Sequence, residues 1–209
     1  MPTRKSQIPD AIFPSTELGI PRLDLSFCAS WVEAPIRAWG SVSRKAGMRG
    51  TWHFYVDDYK FSTVFSDPST VTASKAVAFI EPNYTLGDHL PYPLALYRVY
   101  KKRWVSRFLQ NLGLFTFVDL FAPPQWEELN LEGVPVGWRA FASCASDSRI
   151  GELERQYATA LRFHSDPLFL VYGGGKKVAD FTAGIPNAVH VRHPANEFRK
   201  AAVTEGKNG

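Results

Sequence analysis

Four carboxylates, Asp57, Asp58, Glu81 and Asp119, each stand at the end of a short run of apolar residues. The runs, 52–56, 76–80 and 114–118, are rich in aromatic and β-branched side chains, which suits buried parallel strands. Beyond the carboxyl ends of such strands lies the usual ligand site of a parallel sheet. Acids that converge there repel one another unless a cation, a bound base or a proton relieves them. An oxygen-rich group of this kind holds Mg²⁺ or Mn²⁺ for phosphoryl transfer or hydrolysis, with Asp57, Asp58 and Asp119 as the metal ligands. A pair of these acids could instead serve as acid and base in glycosidic cleavage. Acids at strand ends also begin turns, and Asp57 or Asp58 could do no more than bond to the helix that follows.

Two further constellations bear on phosphates. Apolar residues at helical spacing over 93–111 leave Arg98, Lys101, Lys102, Arg103 and Arg107 for the opposite face, with no acid among them. Such a face neutralises phosphates without reading sequence, and Tyr97, Tyr100 and Trp104 interleave with the charges as stacking groups. The stretch Gly173, Gly174, Gly175, Lys176, Lys177 follows an apolar run, as a phosphate-cradling turn does. Its spacing fits neither the P-loop nor the dinucleotide fingerprint, so a plain flexible turn explains it equally. His190 and His193 flank the end of the chain's last apolar run without metal-site spacing, and Cys144 lacks an adjacent base.

The elements that must position these groups alternate. Residues 23–27 alternate apolar and polar, as a short first strand does, and 32–39 read as a brief helix limited by Pro35. Residues 41–50 are basic and glycine-punctuated, hence a loop. Asp67 and Pro68 open a short helix to about Ser74. After the basic helix, stopped by Gly113, come strands at 114–118, 138–142, 168–172 and 188–192. A helix with Ile150, Leu153, Tyr157, Ala160 and Leu161 on one face separates two of them, and a short connection leads to the last. The expected fold is α/β: a single domain with a mostly parallel sheet of about six strands in βα repeats, either incomplete-barrel-like or open. An irregular arm (1–22) precedes the domain (23–200), and a frayed tail (201–209) follows it.

The totals narrow the classes. The 209 residues suffice for one sizeable core, and the 45% apolar and 21% charged content is that of a globular protein. No apolar run reaches the roughly 20 residues that cross a bilayer, and the start of the chain lacks a signal-peptide core. Two cysteines do not make a disulfide framework, so a cytoplasmic protein with no membrane partner is expected.

Phe54, Tyr55, Asp57, Asp58 and Phe61, then Phe65 and Pro68, then Pro82, Asn83, Tyr84, Thr85 and Pro91, then Tyr100, Arg103 and Trp104 form an ordered set. It continues through Gly113, Ala142 to Cys144 and Val171 to Gly173. In this the chain resembles an uncharacterised domain family of bacterial, archaeal, phage and plasmid proteins, domain of unknown function 4417, over about residues 50–175. The resemblance implies a mobile-element setting and matches Asp57, Asp58, Arg103, Tyr172 and Gly173 to family motifs. In the family an acid follows the proline of the second strand; Asn83 stands there, so no metal role carries over to it. Two expectations follow. In one, the protein acts on nucleic acid or a nucleotide, with Asp57, Asp58, Glu81 and Asp119 catalytic and Arg98, Lys102, Arg103, Arg107, Gly173, Gly174 and Lys176 binding phosphate or nucleic acid. The alternative is a non-catalytic DNA- or RNA-binding accessory of replication, or a protein-interaction module whose partners the sequence leaves open.

Overall fold

The computed structural model describes residues 12–40, 47 and 49–193. Seven parallel strands carry it: β1 (Ile36–Ala38), β2 (Thr51–His53), β3 (Ala78–Ile80), β4 (Phe115–Asp119), β5 (Ala140–Ala145), β6 (Leu168–Gly173) and β7 (Ala188–Val191). Their order in space is their order in the chain, each strand paired with the one before it. Among the described residues, five α-helices cover the outside: α1 (Ser69–Ala73), α2 (Tyr92–Asn111), α3 (Glu127–Leu131), α4 (Ile150–Phe163) and α5 (Lys176–Ala183). The result is a single α/β domain built on a curled, open half-barrel.

The curl follows from side-chain placement. His53 on β2 and Tyr172 on β6 bring their ring centroids to 3.9 Å, although three strands separate theirs in the sheet. In a flat sheet those strands would be four spacings, about 19 Å, apart. Period-two alternation then sorts the residues into two layers. Ala78, Ile80, Phe117, Ala140, Ala142, Leu168 and Leu170 fill the inside of the curl. Trp52, Phe54 and Phe79 face α2 through Val105 and Leu109, while Phe141, Phe169 and Val171 face α4 and α5 through Leu153, Ala160 and Val178. With both faces covered, every residue of β2, β3 and β6 is buried.

The N-terminal end of the half-barrel is closed by the segment before β1. The Ala29 N–H donates to the Thr116 carbonyl at 3.2 Å, and Trp31 stands edge-on to Phe115 at 4.8 Å. Residues 23–27, expected as a strand, form a 3₁₀ turn instead (Leu25–Phe27), because the Asp24 carboxylate accepts the Ser26 N–H at 3.0 Å. The brief helix expected over 32–39 is β1: after Pro35 the chain runs extended and pairs Ile36 with Thr51. The short connection expected after β6 contains α5. The first half of the arm expected at 1–22, most of the loop at 41–50, the tail at 201–209 and the domain's end at 194–200 lie outside the described residues. Of the arm, Phe13 and Ile20 are buried.

Gly133 fixes the arm to the body. Its N–H side of the turn lies so close to the arm that a Cβ would sit 2.4 Å from the Pro21 carbonyl oxygen, and its φ is +82°. Its own carbonyl accepts the Leu23 N–H at 2.9 Å. Gly133→Ala combines a left-handed backbone with a backbone clash, so it should cost at least about 1–2 kcal/mol. A urea-unfolding midpoint unchanged from wild type would contradict this.

Candidate functional site

The strand ends bring the four carboxylates toward one end of the molecule, in two very different states. Glu81 and Asp119 are fully buried and joined, the Asp119 N–H donating to Glu81 Oε2 at 3.2 Å. Each meets a cation from α2. Lys102 Nζ donates to Asp119 Oδ2 at 2.8 Å and to Asn130 Oδ1 at 2.7 Å. Arg103 donates to Glu81, and also to the carbonyls of Asn130 and, at 2.9 Å, Glu132. Asn130 Nδ2 completes the network on the Asp119 carbonyl at 2.8 Å. Asp57 and Asp58 are at the surface. Asp57 pairs with Lys60 at 3.2 Å, and Asp58 accepts the Thr85 hydroxyl at 2.9 Å.

This donor set does not fit the expected Mg²⁺ or Mn²⁺. Both oxygens of Asp119 are engaged, Oδ2 by Lys102 and Oδ1 by the Tyr55 hydroxyl and the Phe121 N–H, each at 3.0 Å. Glu81 offers one free oxygen, Oε1, where such an ion takes about six. Among the described residues no group of three or more His, Cys, Asp or Glu side chains could hold a metal ion.

The basic helix also differs from the expected outer face. Lys102 and Arg103 point inward, 1% and 0% exposed, because two buried carboxylates require them. Arg107 binds Asp24 at 3.5 Å and lies over the Phe13 ring, tethering the arm. Arg98 remains at the surface side, donating to the Thr85 carbonyl. The glycine turn is real: Gly173 and Gly174 have φ of +89° and +73°. Yet the N-terminus of α5 is already served by a carboxylate of the same chain. Asp147 Oδ1 accepts the N–H groups of Gly175 at 2.7 Å and Val178 at 3.2 Å, and these hold its carboxyl below the usual range. Lys176 is exposed beside it.

What sequence reasoning missed is the layer that tops the inside of the curl. Continuing each inner-facing row by two residues gives Tyr55 after His53, Asp119 after Phe117, Cys144 after Ala142 and Tyr172 after Leu170. The signal was present as a switch from apolar to polar in an unbroken period of two. These groups are held uncharged apart from Asp119. Burial, with the charge of His193, pushes His53 down to about 3. Burial and the Asp119 charge push the Cys144 thiol up to about 11 and the Tyr55 hydroxyl well above its usual value. Burial raises Asp119 itself, opposed by Lys102 and by its hydrogen bonds.

Above this layer runs a groove of two adjoining cavities, about 240 and 300 Å³, which share Asn83, Thr85 and Phe121. Tyr55, Asp57 and Cys144 line one side; Asp88, Arg149 and Glu152 line the other. The Arg149 guanidinium sits 5.3 Å over the Phe121 ring and pairs with Glu152 at 3.6 Å.

The sequence model described as Domain of unknown function (DUF4417) matches residues 13–143. The Gene 1 protein of Mycobacterium phage D29 is 30% identical over 114 residues, 52% of this chain and 42% of that protein. The Gene 1 protein of Mycobacterium phage L5 is 27% identical over 113 residues, 51% of this chain and 49% of that protein. The chain thus spans about half the length of the curated relatives it matches. No solved structure matches it. Among the described residues no helix is long and apolar enough to cross a membrane.

Two outcomes test the site's energetics. Lys102→Met leaves Asp119 buried without its cation and should cost about 3–5 kcal/mol, with Lys102→Met/Asp119→Leu costing less than the sum of the single changes. Additive losses in a double-mutant cycle would show that the pair is not coupled. His53 is neutral when folded, and its ordinary pKa is near 6.5, so below pH 6.5 the unfolded chain takes up a proton that the folded one refuses. The stability that His53 contributes is therefore complete above pH 6.5 and is lost progressively toward pH 3, by up to about 1.4 kcal/mol per pH unit. Urea unfolding at pH 7 and 4.5 should show a smaller acid loss in His53→Phe than in wild type.

Proposed function

This chain belongs to the DUF4417 family, a phage-associated domain of unknown function, and we propose that its half-barrel mouth binds a nucleotide unit as part of acting on nucleic acid or nucleotides. The observation that carries the reading is the groove. It joins aromatic faces, Phe121 and Tyr55, to an amide and a hydroxyl, Asn83 and Thr85, over a floor of uncharged hydrogen-bonding groups. Flat rings accept the face of a base, and side-chain amides and hydroxyls read its edge. Arg149, above Phe121, is placed to meet a phosphate. The acids of the lining do not stand free: Glu152 pairs with Arg149, Asp57 with Lys60, and Asp88 accepts from Gln125 at 3.3 Å.

A hydrolytic or phosphoryl-transfer step at this site would draw on Asp119 through Tyr55, a residue that lines the groove and whose buried hydroxyl donates to that carboxylate. The alternative, a basic helix binding DNA or RNA by charge alone, has less support, since Lys102 and Arg103 neutralise carboxylates inside the fold.

Titration with the four nucleoside 5′-monophosphates, followed by calorimetry, tests the reading. Removing a stacking ring is worth about 1–3 kcal/mol, so Phe121→Ala should weaken binding roughly 5- to 150-fold while unfolding is little changed. Binding of equal strength in Phe121→Ala and wild type would sink the proposal.

A further inference from the structure

Five cations lie on α2, and the fold uses three of them. Lys102 and Arg103 neutralise Asp119 and Glu81, and Arg107 pairs with Asp24. Arg98 and Lys101, almost one turn apart, make no salt bridge among the described residues. Both are nonetheless held in place. The Arg98 guanidinium donates to the carbonyl of Thr85, the residue common to both cavities of the groove. Lys101 Nζ lies 4.2 Å from the ring centroid of Tyr84 and 5.1 Å from that of Tyr97. Tyr84 adjoins Thr85, so both cations sit on the segment that carries Thr85 into the groove wall, just outside the cavity lining. A half-buried lysine fixed on aromatic faces, with another cation one turn away and no ion-pair partner, is an arrangement that an anion completes. The acid of this neighbourhood, Asp58, accepts from Thr85 and attracts Lys101, so two cations stand against one carboxylate.

Their position relative to Arg149 says which anion. Thr85 follows β3, Phe121 follows β4, and Arg149 follows β5, and these three strands are neighbours in that order. The segment that holds Arg98 and Lys101 therefore stands on the β3 side of the groove and Arg149 on its β5 side, with the Phe121 ring between. A free mononucleotide has phosphate on one side of its sugar. An internal nucleotide of a single strand has phosphate on both.

We infer that Arg98 and Lys101 form a second phosphate site, and that the ligand of the groove is a single-stranded segment with an internal nucleotide seated at Phe121. This rests on the nucleotide reading of the groove and specifies it. It adds Lys101, which takes no part in the buried network, and it removes Lys102 and Arg103 from the binding face. Arg98 and Lys101 stand outside the core ion pairs, so their replacement leaves those pairs intact.

The experiment compares the four nucleoside 5′-monophosphates with the four nucleoside 3′,5′-bisphosphates, and with five-nucleotide DNA and RNA oligomers of mixed sequence, all on the full chain by calorimetry. A charged hydrogen bond to phosphate contributes enough to make the bisphosphates and oligomers about tenfold or more tighter than the monophosphates. In Arg98→Gln/Lys101→Gln that advantage should fall to about one, and Lys101→Gln alone should remove part of it. Unchanged thermal unfolding of these variants separates loss of the site from loss of the fold. Relative affinity for the two oligomers assigns DNA or RNA. If monophosphates bind and bisphosphates bind no better, the second site is refuted while the nucleotide reading stands. If no probe binds, both fail. If the double variant keeps the bisphosphate advantage, the phosphate is held elsewhere and the assignment to Arg98 and Lys101 is overturned.

Discussion

The structure depends on two cations being drawn inside. Neighbouring residues of one helix, Lys102 and Arg103, are buried completely, and each is tolerated there because a carboxylate waits at a strand end. Burying an ion costs several kcal/mol unless a partner and further hydrogen bonds repay it. Here Asn130 and the Asn130 and Glu132 carbonyls supply those bonds. The network therefore ties together α2, α3 and the ends of β3 and β4. Replacing it by apolar side chains could hold the helix equally well, so its value lies in direction. It fixes where Asp119 points, and with it the hydroxyl of Tyr55, a residue of the groove lining.

That constraint also explains the chemistry of the mouth. Asp119 is the charge around which the uncharged groups are arranged, and its negative charge is one reason that Tyr55 and Cys144 stay protonated. His53 is kept neutral from the other side, by burial against Tyr172 and by the charge of His193. A layer made this way offers hydrogen bonds without offering free charge. Such a surface suits recognition of a polar ring better than attraction of a bare ion. Of the cations, Arg149 lines the groove, over the Phe121 ring and beside Glu152.

Much of the frame was legible in the sequence. Short apolar runs ending in acids gave β2, β3 and β4, and helical spacing between Pro93 and Gly113 gave α2, because strand and helix periods are local properties of the chain. Apart from 23–27, where the local Asp24–Ser26 bond makes a turn, the failures turned on partners distant in sequence. Nothing near Lys102 shows that Asp119 and Asn130 will enclose it, so it reads as an exposed charge. Nothing near Lys176 shows that Asp147 will cap α5, so the helix reads as a connection. The acids were expected at one end of the sheet and as one open cluster; Glu81 and Asp119 touch, but inside, with their cations. That His53, Tyr55, Cys144 and Tyr172 stand together escaped notice because each is ordinary in its own strand and they become a layer only once the sheet curls.

The strand order has a consequence for how the chain is made. Because every strand lies beside its predecessor, a chain emerging from the ribosome can dock each new β unit on a sheet edge already built. No strand has to wait for one synthesised later in order to find its neighbour, which keeps the pairings short in sequence separation. The meeting of His53 and Tyr55 with Tyr172 spans most of the domain. The upper layer of the mouth is thus the last part to come together, after a scaffold that grew in the order of translation.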